Sequence, residues 1–486
     1  MIHIITFFIS LAALLAGYHF YSKLCAGIFR VDAGAKMPSE RLYDGVDYVP
    51  LPGWKIFMIQ LLNIAGLGPI FGAILGALFG PVVFLWIVLG SIFIGSAHDY
   101  FSGMLAIRHD GKSITEVIGF YLGERVKTVT IMFVMVLLIL VGVVFVKGPA
   151  SILTNLTGVE NAVWFYLIFA YYIVATIFPV DQIIGRIYPL FAIALLIMAV
   201  VLASYMLVNA VPIPELTLSS LYNMHSSADR FFIYPMLFIT VACGAISGFH
   251  ATQSPMMARC MKSESHGRPF FYGAMITESV IALIWAAAAM AFFGGVDRLN
   301  AEMLLHKMDP SWAVNLICTS WLGKFGGFLA VLGVVACPIT TGDTAFRSAR
   351  LIVADFLKFD QKSVKNRLII SLPMFAIAYF VTMVNFDIIW RYFAWLNQTL
   401  AVIILYTCAV FLAKTGRFHW VMTIPAVFMT AICSTYILIA PEGFKLSTGA
   451  AYPIGIIFSA AVFGVFLFAN SRRKPEINQC IAESVE

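Results

Sequence analysis

The passage Ala242-Cys243-Gly244-Ala245-Ile246-Ser247-Gly248-Phe249-His250-Ala251-Thr252-Gln253-Ser254-Pro255 gathers an imidazole, an amide and three hydroxyls behind an apolar run that begins at Phe231. A helix needs about 20 residues to cross the hydrocarbon, so these polar groups lie at membrane depth. Backbone released by Gly244, Gly248 and Pro255 cannot face lipid there and must be buried in protein or line a wet cavity. If the chain is helical after Gly248, His250 and Ser254 stand one turn apart with Gln253 beside them, giving one polar face. Ser247, Gly248, His250, Thr252, Gln253 and Ser254 are therefore candidate substrate-binding residues, polar side chains in a membrane being functional-site hypotheses by default. The bland alternative is a kinked helix whose His250 bonds a neighbouring helix and binds nothing.

Four further groups carry possible chemistry. Glu278 is the only acidic residue deep within an apolar run, eight positions or about 12 Å past Phe270. An apolar surrounding favours the neutral acid, as required of a carboxyl that takes up and releases a proton during transport; its plain alternative is a hydrogen-bonded packing residue. His98-Asp99 falls at the cytoplasmic end of its expected helix, where it forms a gate or proton exit, or merely caps the helix. With His109-Asp110 it does not match the i, i+4 spacing of helix-borne metal ligands. Thr340, Thr341 and Asp343, in a helix softened by Pro338 and Gly342, are candidate ion-coupling residues, although Asp343 can also pair with Arg347 one turn on. Lys147 either attracts an anion from outside or snorkels to the interface.

The elements that must hold these groups are membrane spans. Of the 486 residues 61% are hydrophobic and 12% charged, against about one-quarter charged in soluble domains. Spanning runs lie near 3–22, 54–77, 80–98, 127–146, 163–179, 187–209, 231–257, 270–293, 327–346, 367–384, 388–412, 418–439 and 451–470, an all-α polytopic protein of about 13 helices. The N-terminus has no basic n-region and reads as a retained first helix. With the N-terminus outside and the C-terminus in the cytoplasm, 24 of the 31 Lys and Arg occupy inward connections. The segment 347–367 then faces the cytoplasm and 294–326 the outside. The net charge of +6 reflects this bias and no nucleic-acid footprint. Eight scattered cysteines show no CxxC pair and no Cys/His metal spacing, so neither a disulfide nor a metal or other cofactor is expected.

The second expected helix is also interrupted, at Asn63-Ile64-Ala65-Gly66-Leu67-Gly68-Pro69-Ile70-Phe71-Gly72-Ala73. Pro69 suits the start of a new half-helix, where its missing N–H is not needed. Gly68, Gly72 and Gly76 can equally form a close-packing face. Four unbroken helices separate the two breaks. The spans therefore divide into five over 54–209 and five over 231–412, flanked by an N-terminal helix and loop over 1–53 and two further helices with a tail over 413–486. Five crossings reverse direction, so the second set is inverted relative to the first. Interrupted helices at matching positions of two inverted halves are the sequence pointer to a transporter's central site. Gly66, Gly68 and Pro69 join the candidate substrate-binding set, with Gly68 and Gly248 expected at non-helical backbone facing each other across a cavity.

Gly66-Leu67-Gly68-Pro69-Ile70-Phe71-Gly72-Ala73, the block Leu85 to Tyr100, Ser247 to Ser254, Gly273-Ala274-Met275 with Glu278, and Thr340-Thr341-Gly342-Asp343-Thr344-Ala345 with Arg350 together resemble the carbon starvation protein A family. The resemblance spans about residues 40–400. It implies an inner-membrane secondary transporter for pyruvate or small peptides, used when preferred carbon is scarce and driven by protons. It also implies the amino acid–polyamine–organocation superfamily fold, similar to the leucine-transporter (LeuT-like) five-plus-five inverted repeat. In that fold hydroxyls on the eighth core helix serve a sodium site, which keeps Thr340 and Thr341 open to sodium. Long members of the family carry additional C-terminal helices that this chain does not match. The expectation is a transporter and not an enzyme, with the lipid bilayer and a small substrate as partners. Peptide cargo is the rival within this class, and a membrane sensor or a channel the rival outside it.

Overall fold

The computed structural model describes residues 4–45, 47–177, 180–361 and 363–471, the side chains of 180–187 excepted. All secondary structure among them is helical. Ten helices are long and apolar enough to cross a membrane, or eleven if the bent pair Gly53–Ile64 and Gly68–Ala77 is one span. These include Ile5–Phe29, Val82–Arg108, Glu124–Thr157, Glu264–Phe292, Phe386–Lys414, Trp420–Ile439 and Thr448–Ser471. Small residues replace a hydrophobic driving force between helices in lipid, because they let backbones approach until van der Waals packing is dense. The run Ala286–Ala289 does this in Gly273–Phe292, the helix that packs against Gly68–Gly72, Ala73–Ala77 and Val180–Val208.

The first interrupted span bends by 56° between Gly53–Ile64 and Gly68–Ala77. Gly66 lies so close to Phe145 that an added Cβ would stand 2.5 Å from the ring, and Pro69 occupies the first turn of the new segment. The second span runs as Ile233–Leu237 and Phe238–Thr240, loses helical form over 241–249, and resumes as His250–Ala258. Gly248 sits where a Cβ would be 2.4 Å from the Ala401 nitrogen and 2.5 Å from the Asn397 carbonyl oxygen. Only a residue without a side chain lets this strand of backbone lie on Phe386–Lys414.

Several expectations change. The helix expected over 80–98 continues to Arg108, so His98 and Asp99 are mid-helix and fully buried instead of at its cytoplasmic end. The helix 3–22 extends to Phe29. The stretch 294–326, expected to face outside, is largely helical. It forms Val296–Leu305 and then Pro310–Ala330, which turns at Gly323 with φ +60° and leads into Ala336–Leu357. The polar segment 30–52, within the N-terminal helix and loop, is tied down. Ser39 donates to the Met261 carbonyl (2.6 Å), the Leu51 amide to the Cys260 carbonyl (3.1 Å), and Glu264 accepts from the Asp32 amide (2.9 Å) while pairing with Arg108. Gly68 and Gly248 do not face each other across a cavity. Gly68 belongs to the helical turn Gly68–Gly72 and packs on Cys243, while Gly248 packs on Asn397. Seven cysteines, among the described residues, are unpaired and buried.

Candidate functional site

Four titratable side chains from three elements meet beside the second break. Asp99, on Val82–Arg108, accepts from Nδ1 of its neighbour His98 through Oδ1 (2.8 Å) and from Nδ1 of His250 through Oδ2 (2.8 Å). The other ring nitrogen of His250 lies 3.4 Å from Oε2 of Glu278, on Gly273–Phe292. All four side chains are fully buried. His250 reaches this position because it is the first residue of the helix that restarts after the break, with its ring free of the turn below. A carboxylate that fixes one imidazole nitrogen sets which nitrogen is left for the next partner, so Asp99 aims His250 Nε2 at Glu278. Neither Glu278 oxygen, nor His250 Nε2, nor His98 Nε2 has a hydrogen-bond partner. Buried polar atoms without partners are costly, and at a functional site they mark capacity held for something that visits.

The backbone of the break is held from Phe386–Lys414. The Asn397 side-chain oxygen accepts from the Phe249 amide (2.7 Å) and the Ser247 hydroxyl (3.1 Å), and its backbone carbonyl accepts from the Gly248 amide (3.2 Å). Gln398 donates to the Phe238 carbonyl (2.5 Å) at the end of the first half-helix, and the Trp86 indole reaches the Val241 carbonyl (3.3 Å). Sequence reasoning missed Asn397 and Gln398. Their signal was present as a polar pair at the middle of an apolar helix, which is the same signal that singled out Glu278.

At the first break Thr341 donates to the Leu62 carbonyl (2.9 Å) and the Cys337 thiol to the Ala65 carbonyl (2.9 Å). Gln60 and Asn63, one turn apart on Gly53–Ile64, are fully buried with all four amide atoms unpartnered. They too were passed over as candidates. Cys243, from the second break, lies against Gly68: a Cβ on Gly68 would be 2.2 Å from the Cys243 Cβ.

The predicted residues thus separate. His98, Asp99, His250 and Glu278 form one chain, with Ser247, Gly248, Gly66, Gly68 and Pro69 in the adjoining breaks. Thr252 and Ser254 spend their hydroxyls on their own helix, at the Phe249 carbonyl (2.7 Å) and the His250 carbonyl (3.1 Å). Gln253 donates to Thr252 (2.8 Å) and leaves its oxygen unpartnered. Thr340 turns back to the Cys337 carbonyl (2.7 Å). Asp343 belongs to a different cluster, accepting from Tyr188 (3.0 Å), with its anticipated partner Arg347 at 4.0 Å. Lys147 donates to the carbonyls of Thr382 (2.9 Å) and Val384 (2.5 Å), bracing the end of Val364–Val381. It borders a cleft of about 250 Å³ together with Ser151, Lys307, Asp309, Phe386 and Asp387.

A profile of the carbon starvation protein CstA matches residues 3–155, 143–322 and 314–436. The chain belongs to the carbon starvation protein CstA family. A membrane protein of Haemophilus influenzae is 43% identical over 60% of this chain and 92% of its own. The peptide transporter CstA of Helicobacter pylori is 25% identical over 86% of this chain and 79% of its own, and the pyruvate/proton symporter BtsT of Escherichia coli 25% identical over 58% and 48%. In fold, this CstA-family chain resembles a nucleobase-cation-symport-1 family transporter (TM-score 0.54, 14% identity, 89% of this chain and 95% of the other). It also resembles a Na+-coupled sialic acid symporter (TM-score 0.52, 12% identity, 98% of each). These neighbours share the LeuT fold, and the family and fold are those of multi-pass secondary transporters, not of enzymes.

Proposed function

We propose that this CstA-family protein imports a small carboxylate such as pyruvate across the bacterial inner membrane during carbon starvation, coupled to a proton. One observation carries the reading: the buried sequence His98, Asp99, His250, Glu278 runs directly into the second helix break. A proton taken by Glu278 passes to His250 Nε2, and Asp99 stabilises the resulting imidazolium while holding its orientation. The substrate carboxylate binds between the breaks, where the half-helix Gly68–Ala77 presents its positive end and the amides of Gln60 and Asn63 have hydrogen-bonding capacity to spare. Proton coupling is preferred because a carboxyl and an imidazole able to carry a proton lie beside the second break, while the Thr341 hydroxyl and the Cys337 thiol are engaged with the Leu62 and Ala65 carbonyls of the first. Thr340, Thr341 and Asp343 then serve the break and the Tyr188 cluster and not the coupled ion.

The membrane arrangement belongs to the same proposal: 13 crossings, two inverted sets of five over 54–209 and 231–412, N-terminus outside and C-terminus inside. An engineered cysteine at Ser363 is then labelled from the cytoplasm only. Labelling from the periplasm overturns the orientation.

A second reading, uptake of short peptides, is favoured by the mixed charge of the cleft. Lys147 and Lys307 face Asp309 and Asp387 there, which suits a zwitterion better than a simple anion. Proteoliposomes loaded against labelled pyruvate or a labelled dipeptide, with proton and sodium gradients imposed separately, decide between them. Pyruvate accumulation driven by the proton gradient is expected. Accumulation of neither solute under either gradient overturns both readings.

A further inference from the structure

The Cys243 sulfur, His250 Nε2 and a Glu278 carboxylate oxygen all lie within 4.8 Å of one another, and all three residues are buried. A ring nitrogen whose partner nitrogen donates to Asp99 presents a lone pair. Here that lone pair faces a carboxyl group at 3.4 Å with no donor between them. Such a juxtaposition is stable only with a positive centre in it. A proton shared by nitrogen and oxygen meets that need, yet it has no use for the sulfur on the third side. The thiol is itself weakly engaged, 3.8 Å from the Ser247 hydroxyl and 3.6 Å from the Asn397 amide.

Thiolate, imidazole and carboxylate together are the donor set of a borderline-soft ion, bound at about 2.3, 2.0 and 2.0–2.2 Å with an open fourth position. Oxygen-seeking ions such as magnesium or calcium have no reason to take a sulfur and a nitrogen. The outer support is also in place, because Asp99 on His250 Nδ1 is the carboxylate–histidine arrangement that orients metal-bound imidazoles. The present spacing must contract by about 1 Å to suit tetrahedral coordination. Rotation of the Glu278 side chain, which no hydrogen bond restrains, can provide this.

We propose that Cys243, His250 and Glu278 form a binding site for a zinc-class divalent cation, which, on the reading of these residues as the proton path, excludes the proton and arrests the carrier. The ion would tie the broken segment carrying Cys243 to Gly273–Phe292 and remove the freedom that the break provides. Nothing in the spacing of the sequence announces the site, because its third ligand comes from a separate helix.

The test uses the full chain in detergent, without substrate or gradient. Equilibrium dialysis against zinc with metal counting, and titration with cobalt followed by absorbance, are expected to give one ion per chain and a sulfur-to-cobalt charge-transfer band. Cys243→Ser is expected to lose the band and weaken binding at least tenfold, while a thermal melt shows whether the variant is folded. Should it not fold, Cys243→Ala serves in its place. Wild-type protein that binds no ion, or a folded Cys243 variant that binds with the same affinity and band, overturns the site. In proteoliposomes, zinc is expected to block pyruvate uptake, with at least tenfold more needed for the Cys243 variant; undiminished uptake by zinc-loaded protein overturns the arrest. Binding is read without transport, so its failure leaves the transporter reading standing, and a failure of uptake leaves the binding result intact.

Discussion

The first interrupted span gives up its helix over 65–67, whereas the second does so over 241–249. The short break is repaired by one neighbour, Ala336–Leu357, through the Thr341 hydroxyl and the Cys337 thiol. The long break needs the side chain and the backbone of Asn397, with Gln398 and Trp86 at its upstream end. In exchange, the long break frees Cys243 and His250 to meet Glu278, while the short one follows a helix whose buried polar groups, Gln60 and Asn63, are neutral amides. Length of interruption therefore tracks chemistry. Three residues suffice to bend the helix axis by 56°, and nine accompany the titratable groups that reach another span.

If that contrast holds, variants in the second break should cost more than those in the first. The largest effect is expected from Glu278→Gln, which imitates the protonated acid but cannot release a proton. Gradient-driven accumulation should fall to background, at least 100-fold, while substrate exchange in preloaded proteoliposomes persists, since exchange needs only the loaded carrier to reorient. A variant that still concentrates substrate makes Glu278 a packing residue and removes the chemical half of the contrast.

Asn397→Ala comes next. It strips the Phe249 amide and the Ser247 hydroxyl of their acceptor, and at about 1–3 kcal/mol for each buried group left unsatisfied the loss is about 2–6 kcal/mol, read by thermal melting in detergent. Uptake should fall about tenfold. Gly68→Ala tests where the two breaks touch: its Cβ would meet that of Cys243 at 2.2 Å, and overpacking of this kind costs about 1–3 kcal/mol. Adding Cys243→Gly, which removes the opposing Cβ, should restore more of the melting temperature than Cys243→Ser, which keeps it. Equal rescue by the two would mean that the contact is not what limits the approach. The smallest effect is expected at the first break, where Thr341→Val deletes one bond to the Leu62 carbonyl for about 1 kcal/mol and leaves uptake within about twofold. A larger loss than at Asn397 would reverse the comparison.

The two breaks themselves were legible in the sequence, because glycine and proline within apolar runs have few other uses in a membrane. Glu278 and His250 were legible for a related reason, the expense of burying them. The link from His250 to Asp99 was not, since hydropathy ended the helix at His98. The polar run from His98 to Ser102 lowers the mean hydropathy, yet in the folded chain those residues are buried against other spans and the helix continues to Arg108. Hydropathy measures the average neighbour, and here the neighbours are protein. The same blindness hid the clamp by Asn397, whose polar side chain holds the second break from within an apolar helix.

Lys127 and Lys147, on the helix Glu124–Thr157, are 20 residues apart, which is about 30 Å along the axis and equal to the thickness of the hydrocarbon. If these two charges mark the faces of the hydrocarbon, the further ten residues, 148–157, or about 15 Å, lie beyond it, with Gly148, Pro149, Ala150 and Ile152 buried against the rest of the protein. Ser151, on this projecting part, shares a hydrogen bond of 2.7 Å with Ser311. On that placement the cleft of Lys147, Lys307, Asp309 and Asp387 opens at the depth of the lipid headgroups. A solute first meets the protein there as an ion in screened solution, with fields that fade over about 8 Å at physiological ionic strength. Raising the salt should then slow capture of a charged substrate while leaving the buried steps, farther down, untouched.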